Sequence, residues 1–214
     1  MRRRDMWMLV FLLGSIWGFC EVVLGGAIKL LGLPYRSAVL TGLGMGIMGV
    51  GVGVFDASVV LLGIPVVTIL CKMLAVPLAG LPVMCKANSC MAVFLEAGAL
   101  TFLVYMFSDF KGRWWKQAGV GFLSAVLASG VFYFLGMRVA PCQYLLSFNR
   151  PGGFFDFVLV EGMVWGLFSG LLFPVGYKLG SVIERRACMV PSFVYVWVVV
   201  LCWVSSAVAI LLGV

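Results

Sequence analysis

The chain of 214 residues contains no histidine. That excludes His-ligated haem, His-rich metal sites and imidazole acid–base relays. Its seven cysteines are Cys20, Cys71, Cys85, Cys90, Cys142, Cys188 and Cys202, and no two stand as CxxC. Thioredoxin-like and zinc-ribbon chemistry therefore lack their signature, and an odd count argues against a fully paired disulfide framework. No Walker A motif or soluble nucleotide module is present, so ATP energy would have to come from a partner. Charge is scarce as well: 11% of residues are charged and 64% hydrophobic, against about 25% charged in soluble domains. A water-soluble fold cannot hide that much apolar surface, so lipid must be the solvent. The predicted class is all-α: a polytopic integral membrane bundle of six to seven helices, forming one domain over residues 1–214. Neither a metal nor a cofactor is expected.

Apolar windows of roughly 20 residues place spans near 6–28, 37–55, 57–78, 88–108, 117–140, 153–178 and 190–213. The N-terminal Met-Arg-Arg-Arg and its apolar run resemble a signal peptide but lack a convincing cleavage site, so they read as a retained first helix. Asp56-Ala57-Ser58 reads as a tight turn with Asp56 as an N-cap. Pro77 to Asn88 and Pro141 to Gly153 read as loops, Ser108 to Arg113 is the most polar break, and Pro191 suits the first turn of the seventh span. Pro65 and Pro174 are expected to kink their helices. The second span formally contains GxGxxG at Gly44, Gly46 and Gly49, but no strand precedes it and no soluble βαβ unit is available. Gly42/Gly46 and Gly49/Gly53 instead predict close approach of a neighbouring helix.

The net charge of +7 is not a nucleic-acid footprint, because the basic residues cluster at helix ends. They read as topology signals. With the N-terminus in the cytoplasm, the inner side holds Arg2, Arg3, Arg4, Lys111, Arg113, Lys116, Lys178, Arg185 and Arg186. The outer half then carries Lys29, Arg36, Lys72, Lys86, Arg138 and Arg150. Trp114 and Trp115 form an interfacial belt. A bacterial cytoplasmic (inner) membrane is the expected location.

In this orientation Glu21, Glu96 and Glu161 share one depth, ~8–12 Å below the outer boundary at 1.5 Å per residue. Lys72 lies in the same band, with Lys86 and Asp156 nearer the mouth. A carboxylate in hydrocarbon is costly, so it is functional or paired. Trp17 precedes Glu21 by four residues and Trp165 follows Glu161 by four. Each tryptophan thus shares a face with its glutamate, one turn deeper, as an aromatic floor. Glu21, Glu96, Glu161, Lys72, Trp17 and Trp165 are the candidate substrate-binding residues, and no catalytic residue is expected. Pairing of Lys72 with Glu96 or Glu161, and of Lys86 with another carboxylate, would serve helix register instead. Cys85 and Cys90 could form a disulfide or bind a soft metal, or be inert. Gly14 and Gly18 form GxxxG on the inner half of the first span, where an internal helix or a partner subunit could dock.

These features resemble the substrate-capture (S) components of energy-coupling-factor transporters, small membrane bundles usually of six helices. The resemblance implies capture of a vitamin- or cofactor-like solute on the outer side, with Glu21, Glu96, Glu161 and Trp165 in the pocket region. It also implies a transmembrane coupling subunit served by two ATPases and docked on the first helix, where Gly14 and Gly18 stand in place of that family's AxxxA. The expected function is a substrate-binding membrane transport subunit, not an enzyme, taking a small cationic or zwitterionic solute, or one coupled to a proton or cation. Its partners would be that solute, membrane lipid and the coupling subunit. An intramembrane thiol-redox enzyme and an accessory subunit of a larger membrane complex are the alternatives.

Overall fold

A computed structural model describes residues 3–55, 59–186 and 192–213. The expected turn and N-cap at Asp56, and the expectations for Arg2, Cys188 and Pro191, lie outside the described residues. Among the described residues the chain is all-α and carries seven helices long and apolar enough to cross a bilayer: Asp5–Leu30, Arg36–Phe55, Val59–Ala79, Val83–Met106, Trp114–Val139, Gly153–Glu184 and Phe193–Leu211. It is a polytopic helical membrane protein. The fourth span begins earlier than expected, because Pro82 ends the preceding turn and Val83 starts a helix that runs unbroken to Met106. The loop expected from Pro77 to Asn88 thereby shrinks to a short turn around Gly80. The sixth span runs past 178, its polar end continuing the helix to Arg186.

The first span belongs to the bundle. Leu9, Val10, Leu13 and Trp17 are buried in the same core as Met45, Met48, Leu100 and Phe173. Its Gly14 and Gly18 lie against the third span: a Cβ on Gly14 would stand 2.6 Å from the Ile64 carbonyl oxygen, and one on Gly18 2.6 Å from Cys71 Cβ. This corrects the partner-docking assignment of Gly14 and Gly18, since their face is filled within the chain. The second and sixth spans meet as the glycine pattern predicts. A Cβ on Gly49 would stand 2.6 Å from the Phe173 carbonyl oxygen, and one on Gly42 2.8 Å from Phe168 Cβ. From the opposite side, Gly176 and Gly180 meet the backbone of Gly46 and Val50. The seventh span is peripheral, pinned to the first by Trp203 Nε1 donating to Ser15 Oγ at 2.9 Å.

Two backbone irregularities lie away from the prolines. Pro174 sits inside a continuous helix. Pro65 lies in the first turn of an α-helix that follows a 3₁₀ turn, where its missing N–H is no loss. The first and sixth spans are instead interrupted by π-helical turns, Cys20–Leu24 and Val158–Gly162. One holds Glu21 and the other Glu161.

The loop between the fifth and sixth spans carries a short helix, Gln143–Leu146. Buried Leu145, with Tyr133, Phe148, Phe154 and Phe157, fixes it over the N-terminal end of the sixth span. Tyr133 also donates to the Phe148 carbonyl at 3.1 Å.

Replacing Gly176 by Leu drives a side chain into the backbone of the second span. Overpacking of this kind costs roughly 1–3 kcal/mol or more, so the variant should lose several degrees of thermal midpoint in detergent, or fail to fold. Gly98→Leu, at a position with nothing within 4 Å, should behave as wild type in the same melt.

Candidate functional site

Glutamate in hydrocarbon must find its partners inside the protein, and each of the three does so differently. Glu21 is the second residue of the first π turn, whose wide hydrogen bond runs from Gly25 N–H to the Cys20 carbonyl. Such turns add a residue to the helix and recur at functional sites. Glu21 Oε2 takes an ion pair from Lys72 Nζ at 2.6 Å, with the two side chains 9% and 6% exposed. Lys72 also donates to the Ser89 carbonyl at 3.3 Å, joining the first, third and fourth spans. Trp17 Nε1 donates to the other Glu21 oxygen at 3.3 Å.

Glu96 is buried, 3% exposed. Thr41 Oγ1 donates to its Oε1 at 2.8 Å. Its Oε2 is buried and accepts no hydrogen bond. Glu96 lies within electrostatic reach of both Glu21 and Lys72, but the Lys72 ammonium is already committed.

Glu161 sits in the second π turn, closed from Met163 N–H to the Val158 carbonyl. It accepts from Trp165 Nε1 at 3.1 Å and Ser37 Oγ at 3.1 Å on one oxygen. The Tyr144 hydroxyl donates to the other at 2.5 Å. Burial first, and then the Glu161 carboxylate, push the Tyr144 phenol above its ordinary value. The phenol therefore stays a neutral donor through the biological pH range.

The structure brings Glu21, Lys72, Trp17 and Glu96 into one cluster and places Glu161 and Trp165 in a second. The second span joins them. Ser37, which holds Glu161, stands one turn from Thr41, which holds Glu96. Gly44, nearly one turn further on, lies so close to the Trp17 indole that a Cβ would stand 2.5 Å from the ring. The tryptophans are thus not a bare aromatic floor, because each indole N–H is spent on its own glutamate. Lys72 pairs with Glu21, not with Glu96 or Glu161.

Beyond the Glu21–Lys72 pair, further cations lie near one another. Lys86 lies within electrostatic reach of Lys72, Arg36 and Lys29, and among the described residues none of Lys29, Arg36 and Lys86 has an ion pair. Asp156 pairs at the surface with Arg150 at 2.7 Å. The six described cysteines, Cys85 and Cys90 included, are free thiols.

Sequence reasoning missed Ser37, Thr41, Ser89 and Tyr144. A signal existed for the first two: they are polar residues four apart in a span otherwise built of glycine and apolar residues. Ser89 acts through its carbonyl and Tyr144 through a loop, and no pattern marks either. Three grooves of about 350–410 Å³ open elsewhere on the molecule, and no glutamate lines any of them. Comparison with family models, with curated proteins and with solved structures returned no match.

Breaking a buried ion pair by removing one partner costs about 3–5 kcal/mol. Lys72→Met should therefore lower stability by that order. Lys72→Met combined with Glu21→Leu should recover most of the loss, as read by thermal unfolding in detergent. Equal damage in the single and double variants would show that the pair contributes nothing through its charges.

Proposed function

We propose that this protein is the substrate-binding subunit of a membrane transporter, taking a small zwitterionic or cationic solute from the outer side. The observation that carries the reading is the free oxygen of Glu96, a buried acceptor beside an ion pair, between Thr41 and the Glu21–Lys72 cluster. An acceptor buried without a donor costs ~1–3 kcal/mol, more when charged. A solute ammonium would remove that cost. The unpaired Lys29, Arg36 and Lys86 at the outer end favour a solute that also bears an acidic group, and so a zwitterion over a simple cation. Tyr144, on the loop that covers Glu161, stands at the entrance.

In this reading Glu96 binds the amine, Glu21 and Lys72 set the local charge balance, and Glu161 orders the outer layer. The reaction is binding and release, with no bond made or broken. The N-terminus lies in the cytoplasm of a bacterial inner membrane, as the basic clusters favour. Energy comes from a coupling subunit with ATPases, in keeping with the resemblance to energy-coupling-factor S components. That subunit cannot dock on Gly14 and Gly18, which the third span covers. The apolar groove between the first and seventh spans, lined by Trp7, Phe11, Tyr195 and Val199, is a better place for it.

The test is a thermal-shift screen of the purified protein against small cations, zwitterions and anions, followed by equilibrium binding of the hits. Amine-bearing zwitterions should stabilise the wild type. Glu96→Gln should weaken their binding at least ~10-fold, the equivalent of one lost charge-assisted hydrogen bond, with helicity unchanged. A protein that binds no amine-bearing solute, or a Glu96→Gln variant with wild-type affinity, contradicts the proposal.

A further inference from the structure

At the opposite end of the bundle from Glu21, a groove of about 380 Å³ opens between the fifth and sixth spans. Lys111, Trp114 and Gln117 line it from one side, and Lys178 and Ser181 from the other. We propose that this groove holds the headgroup phosphodiester of an anionic phospholipid, with an acyl chain lying along the outer ridge of the sixth span.

The charges fit. Lys111 and Lys178 line the groove from different segments, and among the described residues no acidic side chain lines it. Asp109, the acid nearest in the connecting segment, is held by Lys116. The Lys116 ammonium also draws the Asp109 carboxyl below its usual range. Among the described residues Lys178 has no ion pair. A solvated lysine needs no partner, but cationic pockets between helix ends, at headgroup level, are where anionic lipid heads bind.

The level fits too. Trp114 is 73% exposed beside the groove and Trp115 is 54% exposed next to it, the exposure expected of an interfacial belt. Polar donors are at hand. Gln117 Nε2 spends one N–H on the Lys111 carbonyl at 3.2 Å, which leaves its second N–H for a phosphate oxygen.

The chain path fits a lipid better than a free anion. Val175 lines the groove, and Leu171 and Leu167 follow it at four-residue spacing. All three side chains are exposed, so they make one continuous apolar ridge from the groove into the hydrocarbon. A soluble phosphate would use the lysines and leave that ridge without a role. The site lies apart from the glutamates, and its test is independent of the solute-binding reading.

The experiment is native mass spectrometry of the purified full-length protein with equimolar dioleoyl-phosphatidylglycerol and dioleoyl-phosphatidylcholine. The wild type should retain the anionic lipid preferentially. Lys178→Gln should reduce that preference roughly five-fold, the effect of one lysine near a charged lipid surface, and Lys111→Gln/Lys178→Gln should reduce it further. Arg138→Gln, which removes the same charge at the other end of the bundle, should leave it unchanged. Excess inorganic phosphate should not displace the lipid. Equal retention of the two lipids by the wild type, equal behaviour of Lys178→Gln and Arg138→Gln, or displacement by phosphate would each overturn the proposal. All three substituted side chains are exposed, and an unchanged thermal midpoint checks that the fold is intact.

Discussion

Inside a bilayer no water stands by to satisfy a buried polar group, so every charge must be met by the protein or by something the protein binds. The structure follows from how this chain meets that constraint. Lys72 closes on Glu21, and two further donors and acceptors, the Trp17 indole and the Ser89 carbonyl, complete the pair. Glu161 gathers three donors from three parts of the chain. Glu96 alone among the three glutamates keeps an oxygen with no partner.

The second span is the spine of this arrangement. Its glycines bring the sixth span against it, close enough that backbone meets backbone. On another side the same helix presents Ser37, Thr41 and Gly44, which receive Glu161, Glu96 and the Trp17 indole. Glycine packing therefore does more than hold two helices together, because it fixes the depth at which the sixth span delivers Glu161. The two π turns do a related task. Each adds a residue at a glutamate, so the π irregularity falls at the polar residue.

Much of this was legible in the residues. Length and hydropathy suffice for seven spans, because crossing a hydrocarbon slab demands a minimum apolar run whatever the packing. Small residues at four-residue spacing foretold a close helix contact, and Gly49 against Phe173 is one. The shared level of Glu21, Glu96 and Lys72 followed from span direction. Which partner each residue takes did not, because helical pattern sets a face and a depth but not the rotation of one helix against another. So Gly14 and Gly18 could have taken either an internal helix or a partner, and the third span covers them. The tryptophans, read as a floor, also donate to their own glutamates. Tyr144 was invisible because a loop brought it there, through Leu145 and its aromatic neighbours.

In the proposed reading the partly satisfied polar layer binds an amine, and that reading stands or falls on the surroundings of Glu96. A side-chain-resolved map of the protein in lipid nanodiscs is the most direct measurement. The account predicts Thr41 on one Glu96 oxygen and, ~3 Å from the other, density that belongs to no residue of the chain, either a solute or an ordered water. An Oε2 held by Lys72 or another side chain, or a Glu96 turned toward the lipid tails, would contradict it.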